Sequence, residues 1–482
     1  MAKLGFYTDI HSHPTLRAFN CYNDLKNRNL WVSTDNEEFN TIITRFMRIQ
    51  TKDIIKYSQS NFYRLHEGNV RIIFDNLYPV EKGWLSYRKF ASMFFSDKAT
   101  TEVFLTTTGV ARDKYHELKK KKSYFNELKD QYDFLLNGQG YSPNKKAYYK
   151  LANNYQEIKS IVSKDNKGIV VVPCIEGAHS FESGNPLGQK LQLEEHKALL
   201  SKNIAHVKSW DYPPFYVTFA HHYWNDLCGH AKSLKPPVNL AFNQDAGINK
   251  GISQLGWHVI KELLTTQNGK RILIDTKHMS VKARLEFYSF ITTHNAINPF
   301  NKIPIICSHA GINGYSGFSQ STKENDTIKK MGNGYFNRWS INLNNDEIKL
   351  IYDSGGIIGL ILDKTILGGT GTIDKINKLK SSKAQKDAYM KLIWSNIFGI
   401  VKAIDNKNAW NHISLGTDFD GLINSIEFYP DMSYLPELNA DMTDYLKRTK
   451  FKEELWYGYS PSALVYRIFT KNTLDFLSTH YH

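Results

Sequence analysis

Eight short runs of aliphatic and β-branched residues, separated by longer stretches with helical periodicity, most restrict what this chain can fold into. They lie at Gly5–Ile10, Val70–Asp75, Ile169–Ile175, Tyr216–Ala220, Ile272–Thr276, Ile303–Cys307, Gly356–Leu362 and Ile413–Gly416. Runs such as IVVVPCI and GIIGLIL are almost wholly apolar, as parallel strands covered on both faces must be. One such run cannot be told from a short buried helix. Eight of them, interleaved with helices such as WHVIKELL at Trp257–Leu264, predict an α/β chain closed as a (β/α)8 TIM-type barrel. Two stretches, 81–167 and 368–411, exceed what a barrel connection needs and read as helical insertions on one domain spanning 1–482. Within the second, GGTGT at Gly368–Thr372 lacks the Lys-Ser/Thr of a phosphate loop and reads as a flexible loop.

Composition narrows the function classes. Hydrophobic residues make up 41% and charged ones 22%, an ordinary globular balance. The formal net charge of +14 is spread along the chain without an Arg-rich arm or zinc-finger spacing, so no nucleic-acid partner is expected. The basic run Lys119–Lys122 reads as a solvated helix face. Cys21, Cys174, Cys228 and Cys307 form no CxxC pair, which argues against a disulfide framework or a cysteine zinc site. No leader pattern and no apolar stretch of membrane-spanning length is visible, so the expected location is cytoplasmic. Assembly into a homo-oligomer stays open.

The chemistry lies where the strands end. The first runs into Asp9-Ile10-His11-Ser12-His13, and strand alternation points His11 and His13 to the same side, where one cation can take both. The third ends in Glu176, the fourth in His221-His222, the fifth in Asp275-Thr276-Lys277-His278, the sixth in Ser308-His309, and the eighth in Asp418-Phe419-Asp420. Any one of these is ordinary in isolation. Six of eight strands ending in His, Glu or Asp place them together on the face where barrel enzymes keep their catalytic groups. Imidazole and carboxylate ligands suit Zn2+ or a similar divalent ion. A carboxylate among histidines can bridge two cations about 3.5–4 Å apart, which makes hydroxide available near neutral pH. A neighbouring Asp can carry its proton to a leaving group. The expected reaction is metal-assisted hydrolysis of an amide, ester or related bond in a small-molecule or dipeptide substrate.

The ordered motifs HSHP, IEGAHS, FAHH, LIDTKHMS, ICSHAG, NLNNDE and LGTDFDG resemble those of the membrane (renal) dipeptidase family, peptidase M19 of the amidohydrolase superfamily. The resemblance implies that His11 and His13 bind a first metal, that Glu176 bridges to a second, and that His278 and His309 hold the second. It further implies that His221 polarises the scissile carbonyl or stabilises the developing oxyanion and that Asp418 is the general acid/base, with Asp275 and Asp420 either supporting neighbouring ligands or serving as a strand-end cap and a turn residue. Two positions depart from the family pattern. His-x-His replaces His-x-Asp after the first strand, and Ile341 stands where an arginine clasps the substrate carboxylate, leaving Arg338 as the substrate-binding candidate. Two other readings stay open: a metal-dependent lactonase or phosphoester hydrolase, and a catalytically silent binding barrel.

Overall fold

The computed structural model of the protein describes residues 5–20, 29–34, 57–86, 101–102, 104–105, 108–120, 122–234, 238–322, 328–331 and 334–482. Its main sheet follows the expected runs. The barrel strands are β1 (Tyr7–Ser12), β2 (Val70–Leu77), β3 (Gly168–Glu176), β4 (Tyr216–Thr218), β5 (Leu273–Asp275), β6 (Ile306–Ala310), β7 (Ile357–Leu360) and β8 (Ile413–Leu415). Each pairs in parallel with the next. β2 and β3 are buried along their whole length, which explains their unbroken apolar sequence.

The barrel closes between β8 and β1 just past the end of β8. Asp418 N donates to His11 O at 2.9 Å and His13 N to Phe419 O at 3.0 Å. The Asp9 carboxylate ties the same seam, accepting Thr417 N at 3.0 Å through its Oδ1. His11, His13 and Asp418 therefore flank one closure.

Helices cover the outside. Gln254–Leu264 turns Leu255, Val259, Ile260 and Leu263 inward, and Ser253 caps its start by accepting Gly256 N. In 81–167 the described residues carry helices Arg112–Lys119, Tyr124–Asn137 and Tyr155–Lys164. They also carry a hairpin, Gly140–Tyr141 with Tyr148–Leu151, whose second arm joins the first residues of β3. The stretch is thus not wholly helical, because YYKL keeps a strand backbone by pairing with β3. Positions 87–100, Lys121 and Cys21 lie outside the described residues, whereas Cys174, Cys228 and Cys307 are buried free thiols.

In 368–411 the helices are Thr370–Asn377 and Ser382–Ile404. GGTGT is therefore not a loop. Gly368 ends one helix, Gly369 turns the backbone at φ +73°, and Thr370 begins the next. No helix among the described residues is long and apolar enough to cross a membrane.

Candidate metal centre

Strand ends deliver the side chains and local turns aim them. After β5 the chain makes a tight turn with His278 in the left-handed region, φ +65°. Ser280 then caps helix Val281–Ile297 by accepting Ala283 N. After β8, Asp418 is also left-handed, at φ +61°. A β-carbon on Gly421 would stand 1.9 Å from Asp418 Oδ1, so any side chain there would displace the carboxylate. Two strained non-glycine residues at one rim are what a site held in place by its surroundings shows.

Glu176 is the centre of the cluster. Its Oε2 lies 2.7 Å from His13 Nε2 and 3.5 Å from His11 Nε2. Its Oε1 lies 3.5 Å from His278 Nε2, 3.6 Å from His221 Nε2 and 3.8 Å from His309 Nε2. Asp418 Oδ1 faces the first pair, 3.7 Å from His11 and 3.5 Å from His13, and Oδ2 lies 3.9 Å from His309. All these groups are buried. Two sets of ligand atoms within 4.8 Å of one another, His11/His13/Glu176/Asp418 and Glu176/His278/His309, share Glu176.

The hydrogen bonds at the far side of the rings decide what these atoms can hold. His13 Nδ1 donates to Asn76 O at 2.9 Å. Tyr216 OH donates to Ile10 O, so it accepts from His11 Nδ1 at 2.9 Å. Ser308 Oγ donates to Asp275 and therefore accepts from His309 Nδ1 at 2.8 Å. In each neutral ring the Nε2 then carries a lone pair, and three lone pairs converge on two carboxylates. Such a face is repulsive unless something positive lies within it. His11 Nε2 and Glu176 Oε1 have no hydrogen-bond partner, and His278 and His309 set their Nε2 atoms 3.2 Å apart. Protons alone do not resolve this. Burial works against charge on His13, yet Glu176 and Asp418 raise its pKa well above the usual value. Burial depresses His309 and takes His278 down to about 3. The donor set fits divalent cations.

Asp275 supports the cluster through Ser308, which also lies 3.0 Å from His11 Nδ1. Asp420 has a different task. It accepts from Gln59 N, Ser60 N and Ser60 Oγ and pairs with Arg17 at 2.8 Å, pinning the 59–60 segment to the barrel end. Arg338 sets its guanidinium 5.6 Å over Tyr315 and is not among the residues lining the small pocket beside the cluster. Ile341 is buried in the core, and the neighbouring Asn344 and Glu347 form a capping box that starts helix Asn345–Asp353.

Glu81 is the participant that sequence reasoning missed. Its Oε2 accepts from His221 Nδ1 at 2.7 Å and from Tyr78 OH at 3.0 Å, and Oε1 accepts Tyr223 N at 3.1 Å. Gln131, on helix Tyr124–Asn137, clamps both main-chain groups of Tyr78 and so fixes the segment that carries Glu81. Burial would raise the Glu81 pKa, but His221 outweighs it and holds the group at about 2. His222 was also unassigned. It belongs with His221 and His278 to a further group of converging ligand atoms, and its doubling in FAHH was the available signal.

No protein-family model matches the sequence, and no curated protein does. Among solved structures the chain is similar to a metallo peptidase from Rhodobacter sphaeroides liganded with a phosphinate mimic of the dipeptide L-Ala-D-Ala, at 12% identity over 99% of both chains with a TM-score of 0.49. It is also similar to the probable dipeptidase PvdM from Pseudomonas aeruginosa, at 16% identity over 87% of this chain and 88% of that one with a TM-score of 0.46. An amidohydrolase from Pseudomonas aeruginosa is 14% identical over 87% and 92% of the respective chains, with a TM-score of 0.47.

Proposed function

We propose that the protein is a binuclear metal-dependent hydrolase that cleaves a dipeptide or another small amide. The observation that carries the reading is the split of Glu176, one oxygen toward His11 and His13 and the other toward His278 and His309. His11, His13 and Glu176 would hold one ion, and Glu176, His278 and His309 the other, with Zn2+ suited to this donor set. Two such cations supply, when bound, Lewis acidity and a lowered pKa for water. Asp418 borders the first ion's ligands and takes the role of general acid/base, moving a proton between the incoming nucleophile and the leaving nitrogen. His221 directs Nε2 into the site while Glu81 holds Nδ1–H, so a second proton on the ring is available to the developing oxyanion.

A phosphoester substrate fits this chain less well, because a phosphate needs several converging cations and the rim motifs bring a single one, Lys277, beside Asp418. Elemental analysis of the purified protein, followed by a screen of L- and D-dipeptides and N-acyl amides, tests the proposal. Two divalent ions per chain and turnover abolished by His278→Ala are expected. A metal-free chain, or a fully active His278→Ala variant, refutes it.

A further inference from the structure

His222 is buried beside His221, with the two ring centroids 3.8 Å apart, yet the rings bond to different partners. His221 gives its Nδ1–H to Glu81, whereas His222 Nδ1 lies 2.7 Å from Ser233 Oγ. Gln244 decides which of those last two atoms donates. Its Oε1 accepts Leu234 N at 2.9 Å, so its amide nitrogen is the end that reaches His222 O at 2.7 Å and Ser233 Oγ at 2.8 Å. Ser233 Oγ therefore accepts from Gln244. Its own hydroxyl proton has one acceptor among the described residues, His222 Nδ1. A ring that accepts at Nδ1 carries a proton on Nε2.

This tautomer separates two roles for His222. With His221 and His278 it brings ligand-type atoms within 4.8 Å of one another, a grouping suited to a cation. A protonated Nε2 has no lone pair for a metal and donates instead. The space beside it limits what it can donate to. His222 borders, together with His13, Glu176 and His221, a void of about 20 Å³ whose other walls are mostly apolar, Val80 and Trp84 among them. Such a volume admits one water-sized oxygen and no more. Against apolar walls a hydrogen bond to a charged oxygen is stronger than in water.

We propose that His222 is a catalytic residue: its Nε2–H is a second donor, beside His221, to the oxygen that becomes negative as the carbonyl is attacked. Ser233 and Gln244 are the positioning residues that set its tautomer. The inference rests on the metallohydrolase reading and deepens it. An oxyanion exists only during reaction, so the donor acts on kcat and not on KM. His222→Leu should lower kcat about 10²-fold with KM within about threefold, and metal content should be unchanged. The phosphinate analogue of the parent's best dipeptide or amide, whose P–O⁻ stands where the oxyanion forms, should weaken by the same factor. His222→Gln, whose amide keeps an N–H at similar reach, should recover about tenfold of the lost kcat. Nitrogen NMR of the zinc-loaded parent should show the His222 ring protonated at Nε2 and bare at Nδ1, a bias that Ser233→Ala removes. A bare Nε2 in the parent, a third zinc lost in His222→Leu, a loss confined to KM, or an undiminished kcat overturns the inference and leaves the metallohydrolase reading standing. A zinc-loaded parent that hydrolyses no dipeptide or amide refutes both.

Discussion

Replacing Glu81 by Gln tests the electrostatics of the centre with almost no change of shape. The carboxylate accepts three hydrogen bonds, from His221 Nδ1, Tyr78 OH and Tyr223 N. An amide has one acceptor oxygen and one donor nitrogen, so it cannot serve both sides. If its oxygen stays with Tyr223 N, the NH2 group faces His221 and forces Nδ1 to become the acceptor. The ring then carries its single proton on Nε2, uncharged, beside Glu176 Oε1 at 3.6 Å. Exchanging a charged Nε2–H donor for a neutral one forfeits roughly 1–1.5 kcal/mol, which corresponds to a loss of about 5- to 13-fold in kcat/KM. Both metal ions should remain, since Glu81 is not among the converging ligand sets. Steady-state kinetics on the best amide substrate, elemental analysis, and nitrogen NMR of the His221 ring read the three consequences separately. A Glu81→Gln protein with kcat/KM within twofold of the parent and an unchanged His221 tautomer would show that the Glu81–His221 pair has no part in turnover.

Further outcomes follow from the same geometry. Asp418→Asn should lower kcat by about 10²–10⁴-fold while metal content is unchanged, and loss of the metals instead would make Asp418 a ligand rather than a proton carrier. Stripping the ions with a chelator should destabilise the protein by about 4 kcal/mol relative to metal at a thousand times its Kd, read as a fall in Tm that returns on adding Zn2+; an unchanged Tm contradicts a cation in the cluster. Gly421→Ala pushes a methyl to within 1.9 Å of Asp418 Oδ1, so activity should drop at least tenfold with only a small change in Tm, and full activity means that the turn relaxes freely. Arg284→Met leaves Glu347 buried without its partner and removes donors to Met279 O and Ser340 O; chemical denaturation should report a loss of about 3–5 kcal/mol, and less than 1 kcal/mol rules out this pair as a structural anchor.

The barrel was legible because parallel strands covered on both faces have to be apolar throughout, and IVVVPCI or GIIGLIL have few other uses in a chain of this size. The rim was legible for a related reason: His, Glu and Asp directly after such runs stand out against their surroundings. The hairpin around Tyr148–Leu151 was not, because YYKL has no distinctive pattern and its strand state depends on pairing with β3. Glu81 was invisible as well. It sits in an irregular segment with no motif, and its meaning comes from His221, 140 positions away. Asp420 was open from its motif to either a support for the centre or a turn residue, and its bonds go to Gln59, Ser60 and Arg17.

The seam at which β8 meets β1 bears on how the protein matures. Asp9 and Thr417 are 408 positions apart, and the bond between them forms only when the last strand has come round to the first. His11 and His13 stand on one side of that junction and Asp418 on the other, so a nascent chain still lacking the eighth strand carries all five proposed ligands but neither Asp418 nor the closure that fixes His11 and His13. Firm loading with metal should therefore come late, after synthesis is nearly finished, once that closure holds His11 and His13 in place. A chain truncated before residue 413 should neither retain zinc through dialysis nor resist proteolysis in its presence.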